Sequence, residues 1–148
     1  MEKDVVISIK GVQRYENADP DTMELVTEGR LEREGNSYTL SYQESELTGL
    51  EGTLTTFQIE PERITLMRVG EFNSQMAFQE GRRHMAMYNT PYGAMTIGVN
   101  THHLLAELTD RGGDIEIDYA IEIDHTVAGR NTFQIRIKES EGAVSLKA

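Results

Sequence analysis

The residues best suited to chemistry in this chain lie between Met67 and Met95. Tyr88 and Tyr92 stand either side of Thr90-Pro91, with Gly93 behind them. At the mouth of a pocket, such rings would pack an apolar ligand while their hydroxyls orient it. A tight turn explains part of the same pattern, because proline presets φ at its second position and glycine suits the fourth. Met67, Met76, Met85, Met87 and Met95 add flexible thioethers. These suit a lining that adapts to varied apolar ligands, and equally a filled, irregular barrel core. Met76, Phe78, Met87, Tyr88, Tyr92 and Met95 form the candidate ligand-binding set.

Other chemistries are poorly supplied. The chain has no cysteine, which excludes disulfides, thiolate nucleophiles and cysteine-ligated zinc. His102 and His103 are adjacent, so on a regular strand they point to opposite faces and cannot share one metal. His84 and His125 lie in other segments, and no metal is expected. No Gly-x-Ser-x-Gly nucleophile elbow occurs. Gly49-Leu50-Glu51-Gly52-Thr53 carries glutamate where a phosphate loop needs lysine. Carboxylates line every solvent face, so their pairing points to no particular acid–base site. No catalytic residue and no cofactor is expected, and an enzyme ranks behind the binding roles.

The arginines pose a question of phase. If Ile64, Leu66, His84 and Ala86 point inward, Arg63 and Arg83 face solvent. In the opposite phase over residues 82–88, Met85 and Met87 turn inward and Arg83 joins them. A charge inside a barrel needs an acidic partner or an anionic ligand. The residues leave this phase open, and a solvated surface is the expectation for Arg63, Arg68, Arg82 and Arg83.

Charge and composition narrow the partners. The 25 acidic side chains outnumber the 14 basic ones, for a net charge of -11. Nucleic acid and anionic membrane both need clustered cations, so neither is an expected partner. The first residues, Met1-Glu2-Lys3-Asp4, lack the basic start of a secretion signal. Val5 to Ile9 is too short to span a bilayer, and a cytoplasmic location is the expectation. No Pro/Gly/Ser-rich linker divides the 148 residues, which read as one domain, 1–148.

The elements that would position these residues are strands. Ile115, Ile117, Tyr119, Ile121 and Ile123 alternate with Glu116, Asp118, Ala120, Glu122 and Asp124. Only a half-buried strand separates such residues onto two faces. Residues 126–138 repeat the alternation with Arg130, Arg136 and Lys138 on the polar side, so acidic and basic rows would pair across a hairpin. Asp110-Arg111-Gly112-Gly113 reads as a second hairpin turn. Strand candidates follow at 4–15, 22–33, 37–43, 53–59, 63–69, 74–80, 83–89, 94–100 and 103–109, with an irregular loop or single helical turn over 44–52. Short connections make successive strands neighbours, and a meander of this length tends to close on itself. The fold class is all-β: a single antiparallel meander closing into a barrel of about 8–10 strands.

Specific residues sharpen this. Ser41-Tyr42-Gln43-Glu44 precedes the irregular loop; Met76-Ala77-Phe78 precedes Gly81; Tyr88 stands before Thr90-Pro91-Tyr92-Gly93. Thr101, Leu108 and Ile115-Glu116-Ile117-Asp118-Tyr119 follow. In this order the chain resembles the YwiB-like family of uncharacterised bacterial β-barrel proteins from about residue 4 to residue 138. The resemblance implies a calycin-like barrel, similar in architecture to lipocalins and streptavidin, and implies no activity. The leading functional expectation is a non-enzymatic barrel that binds a small, partly apolar molecule. The alternative is a protein-interaction module or homodimeric adaptor with a filled core, suggested by apolar residues on both faces of 94–109.

Overall fold

The computed structural model describes residues 2–15, 18–71, 73–90, 93–124 and 126–140. Among them every element is a strand: β1 (Glu2–Arg14), β2 (Asp21–Glu34), β3 (Ser37–Gln43), β4 (Thr53–Ile59), β5 (Ile64–Gly70), β6 (Ser74–Phe78), β7 (Arg83–Thr90), β8 (Gly93–Thr109), β9 (Gly112–Ile123) and β10 (Thr126–Glu139). Each strand pairs antiparallel with the next, and β1 pairs with β10 to close the ring. The ring is thinnest between β6 and β7, where the pairing is Ser74↔Tyr88.

Alternation builds the interior. Val5, Ile7 and Ile9 of β1 register against Gly29, Thr27 and Leu25 of β2. Leu31↔Leu40, Leu40↔Phe57, Phe57↔Leu66 and Leu66↔Met76 carry the inward row on around the wall. On the far side Ile115 and Ile117 meet Ile135 and Phe133. The outward rows of β9 and β10 pair as their charges suggest, Arg136 lying opposite Asp114 with Nε 3.1 Å from its Oδ1.

The phase question over β7 is settled by burial: Ala86 is buried, while Met85 and Met87 are 63% and 62% exposed. Arg83 also faces out, its Nη2 2.6 Å from Glu122 Oε1 across Gly98, whose missing Cβ leaves room for the pair.

One irregularity corrects three expectations. Residues 94–100 and 103–109 form one strand, β8, with a register shift between Thr101 and His103. A β-bulge adds one residue to its strand and reverses the side-chain phase beyond it. Odd positions (Ile97, Val99, Thr101) are buried before it, and Leu104, Ala106 and Leu108 pack against the core after it. Most of the two-faced apolar appearance of 94–109 is therefore one inward face read across a phase change, with Leu105 left on the outer wall. His102 and His103 are both exposed, instead of lying on opposite sides of the wall. A similar shift between Val127 and Gly129 leaves Val127 47% exposed, outside the inward row expected for it.

The meander sorts its connections by end. The four even-to-odd turns, after β2, β4, β6 and β8, lie at one end, where Val5, Leu31, Ile59, Phe78 and Ile137 fill the interior. At the two-residue turn Asp110–Arg111, Gly113 has φ 151°, and a Cβ there would lie 1.9 Å from the Glu107 carbonyl oxygen, so only glycine fits. The odd-to-even connections gather at the other end, where the barrel opens.

Candidate functional site

At the open end the packed interior gives way to a cavity of about 460 Å³, within the size range of small-molecule sites. Its apolar wall includes Leu66, Met76, Met95, Ile97, Ile121 and Phe133. An aromatic column stands inside: Phe78 packs on Tyr119 at 4.8 Å between ring centroids, and Tyr119 on Phe133 at 5.9 Å. Tyr119 and Phe133 line the cavity, and Phe78 lies beneath them in the filled core.

Met23, Arg68 and Phe133 also border a smaller space of about 170 Å³ under the loop that follows β3. A polar cluster is buried there. Leu40 and Tyr42 point inward, and Glu44 extends that phase one rung beyond β3, its N–H donating to the Thr53 carbonyl at 2.9 Å. Ile64 and Leu66 point inward on β5, and Arg68 extends their phase in the same way, in register with Thr55. The Glu44 side chain is 1% exposed and that of Arg68 19% exposed. Thr55 donates to Glu44 Oε2 at 2.5 Å and Thr48 to Oε1 at 3.0 Å. Arg68 Nε lies 3.7 Å from Glu44 Oε2, too far for a hydrogen bond, and is buried with no hydrogen-bond partner among the described residues.

Tyr42 completes the cluster. Its hydroxyl keeps its proton well above the ordinary tyrosine range, first because burial disfavours a phenolate, and then because the Glu44 carboxylate lies beside it; Arg68 opposes both. Burial and then Asp110 act on Tyr38 in the same direction. An unfolded tyrosine ionises near about pH 10, so above that pH the unfolded state binds fewer protons than the folded one and stability falls as pH rises. Tyr42→Phe should remove the Tyr42 share of this alkaline loss. Urea midpoints at pH 7 and pH 11 for both proteins test it, and an equal drop in the two would refute the buried, protonated hydroxyl.

The sequence-derived set is split by the structure. Met76 and Met95 reach the cavity wall. Phe78 is fully buried core. Met87 is a correction: it sits on the outer face of β7, because the inward phase there belongs to His84 and Ala86. Tyr92 and the side chain of Tyr88 lie outside the described residues. Arg68 and Glu44 were missed as a site, although each stands two residues beyond an inward pair on its own strand.

A larger concavity, about 920 Å³, lies on the outer wall between Lys10, Glu24, Glu107 and Arg136. Those side chains are exposed and of both signs, and Val6, Leu25, Val26 and Leu105 lie among them, so this outer wall is a mixed surface with no buried charge. The interior, with its buried charges, is the candidate site.

Comparison with known proteins agrees with this architecture. Residues 7–135 match a family described as Domain of unknown function (DUF1934). The chain belongs to that family. The crystal structure of ywiB protein from Bacillus subtilis is similar, with a TM-score of 0.82 at 20% sequence identity, covering 94% of this chain and 93% of that one. At that identity the likeness speaks for the antiparallel barrel fold alone. No curated protein matches the chain. Among the described residues, no helix is long and apolar enough to cross a membrane.

Proposed function

We propose that this family member is a non-enzymatic barrel that holds a small, partly apolar molecule in the open end of its interior. The observation carrying this reading is the cavity of about 460 Å³, walled by thioethers, aliphatic side chains and aromatic rings. A barrel with only structural duties gains stability by filling that space, since a void forfeits dispersion contacts. Met76 and Met95 give the wall the adaptability expected of a site that accepts more than one shape.

The chain has no tryptophan, which makes an optical test clean. Titration with the neutral apolar dye N-phenyl-1-naphthylamine should give saturable fluorescence enhancement at one dye per chain. Met95→Trp, at the rim where Met95 is 37% exposed, should block the dye while leaving the melting temperature nearly unchanged. Absence of saturable enhancement in the parent protein would overturn the reading. The outward Leu105 and the exposed Met85 and Met87 are what speak for the homodimer alternative.

A further inference from the structure

We infer that the ligand carries a carboxylate head, held by Arg68 at the junction of the two interior spaces. This rests on the cavity reading above. A guanidinium presents five N–H donors in a planar fork. Among the described residues the partner facing it is Glu44, and the closest approach is the 3.7 Å from Nε to Oε2. Glu44 does not satisfy the fork, because at 3.7 Å its nearer oxygen lies beyond hydrogen-bond reach of Nε. Arg68 is thus a largely buried cation whose Nε–H has no acceptor among the described residues.

The surroundings select the head group. Arg68 borders both spaces, so a head on its fork would leave the tail against Met76, Met95, Ile97 and Phe133. A planar, two-oxygen acceptor matches the fork in the bidentate manner of arginine–carboxylate pairs. An ammonium head would meet Arg68 directly and be repelled. A doubly charged phosphate would face the buried Glu44 carboxylate, in a chain whose net charge is already -11. A singly charged carboxylate on an apolar tail is the chemistry that fits.

The experiment compares three ten-carbon compounds, decanoate, 1-decanol and decylamine, as displacers of N-phenyl-1-naphthylamine from the full chain. Decanoate should displace the dye at a concentration roughly tenfold or more below that of 1-decanol, the gain expected of a charge-assisted hydrogen bond. Decylamine should be the weakest. Arg68→Gln should erase the decanoate advantage while the dye still binds, and Arg68→Lys, which keeps the charge without the fork, should reduce it. Equal displacement by decanoate and 1-decanol in the parent protein would overturn the head-group inference and leave the cavity reading standing. Persistence of the preference in both variants would also overturn it. Failure of the dye to bind the parent protein would overturn both.

Discussion

Phe78→Ala should lower the stability of the barrel by about 3–5 kcal/mol, the usual cost of deleting a fully buried phenyl ring. Phe78 has no exposed surface, and its ring supports Tyr119 from below at the closed end. Truncation leaves a void under the aromatic column, and the close-packed wall of Ile59, Ile64 and Val99 can collapse into it only in part. For a chain of this length the melting temperature should fall by roughly 10 °C or more. Met87→Ala is the control, since a side chain 62% exposed on the outer wall should change stability by less than about 0.5 kcal/mol. Thermal melts followed by circular dichroism separate the two. Equal, small shifts would mean that Phe78 faces open space and that the filled end of the barrel is misplaced.

Glu44→Ala should be nearly as damaging, for an electrostatic reason. Glu44 accepts hydroxyl hydrogen bonds from Thr48 and Thr55 and faces Arg68. Its removal strands the Thr55 hydroxyl and leaves Arg68 without its facing carboxylate, while Thr48 keeps only the Ser45 carbonyl as acceptor. Breaking a fully buried ion pair costs roughly 3–5 kcal/mol; with Arg68 one-fifth exposed, the lower end, about 3 kcal/mol, is the expectation. Glu44→Gln keeps an acceptor for the hydroxyls and should cost visibly less. The Thr48 bond also pins the loop to the barrel, where the Ser45 carbonyl accepts the Thr48 N–H at 3.2 Å and forms a single turn. Urea titrations of the two variants measure the difference. A Glu44→Ala protein within about 0.5 kcal/mol of its parent would show that the cluster is solvated and does not hold the loop.

Much of the fold was legible because strand chemistry is local. The alternation over Ile115 to Asp124 needs no partner to declare its buried face, and Asp110-Arg111-Gly112-Gly113 declares its turn by glycine alone. Met87 shows where legibility stops. Its strand alternates methionine with histidine and alanine, so neither face is plainly apolar, and only the neighbouring Ile97 and Val99, reached through register, decide the matter. The bulge beyond Thr101 was hidden for a related reason: an inserted residue leaves hydrophobic content unchanged and alters only its phase. Arg68 and Glu44 were within reach. Ile64-x-Leu66-x-Arg68 and Leu40-x-Tyr42-x-Glu44 each continue an inward row onto a charge. That signal competes with the ordinary expectation that charges near a loop are solvated. What no linear pattern holds is that the two charges meet, because their encounter depends on the pairing of β3, β4 and β5.

The closure of the ring by its two most distant strands also bears on how the chain is made. Val5 pairs with Glu139, Lys3 reaches Glu139 at 2.6 Å, and the Ser140 N–H donates to the Asp4 carbonyl at 3.1 Å. As a nascent chain leaves the ribosome, each hairpin can form in turn, yet β1 keeps one raw edge until β10 emerges. Until then the inward row of isoleucines faces water from a curling, incomplete sheet, the state most open to pairing with another chain. Such long-range closure makes folding slow. It also places residues 4 and 140 side by side, so a rotated gene that joins these two strands through a short linker and opens the ring at an exposed turn would keep every strand pair while letting β1 and β10 meet early.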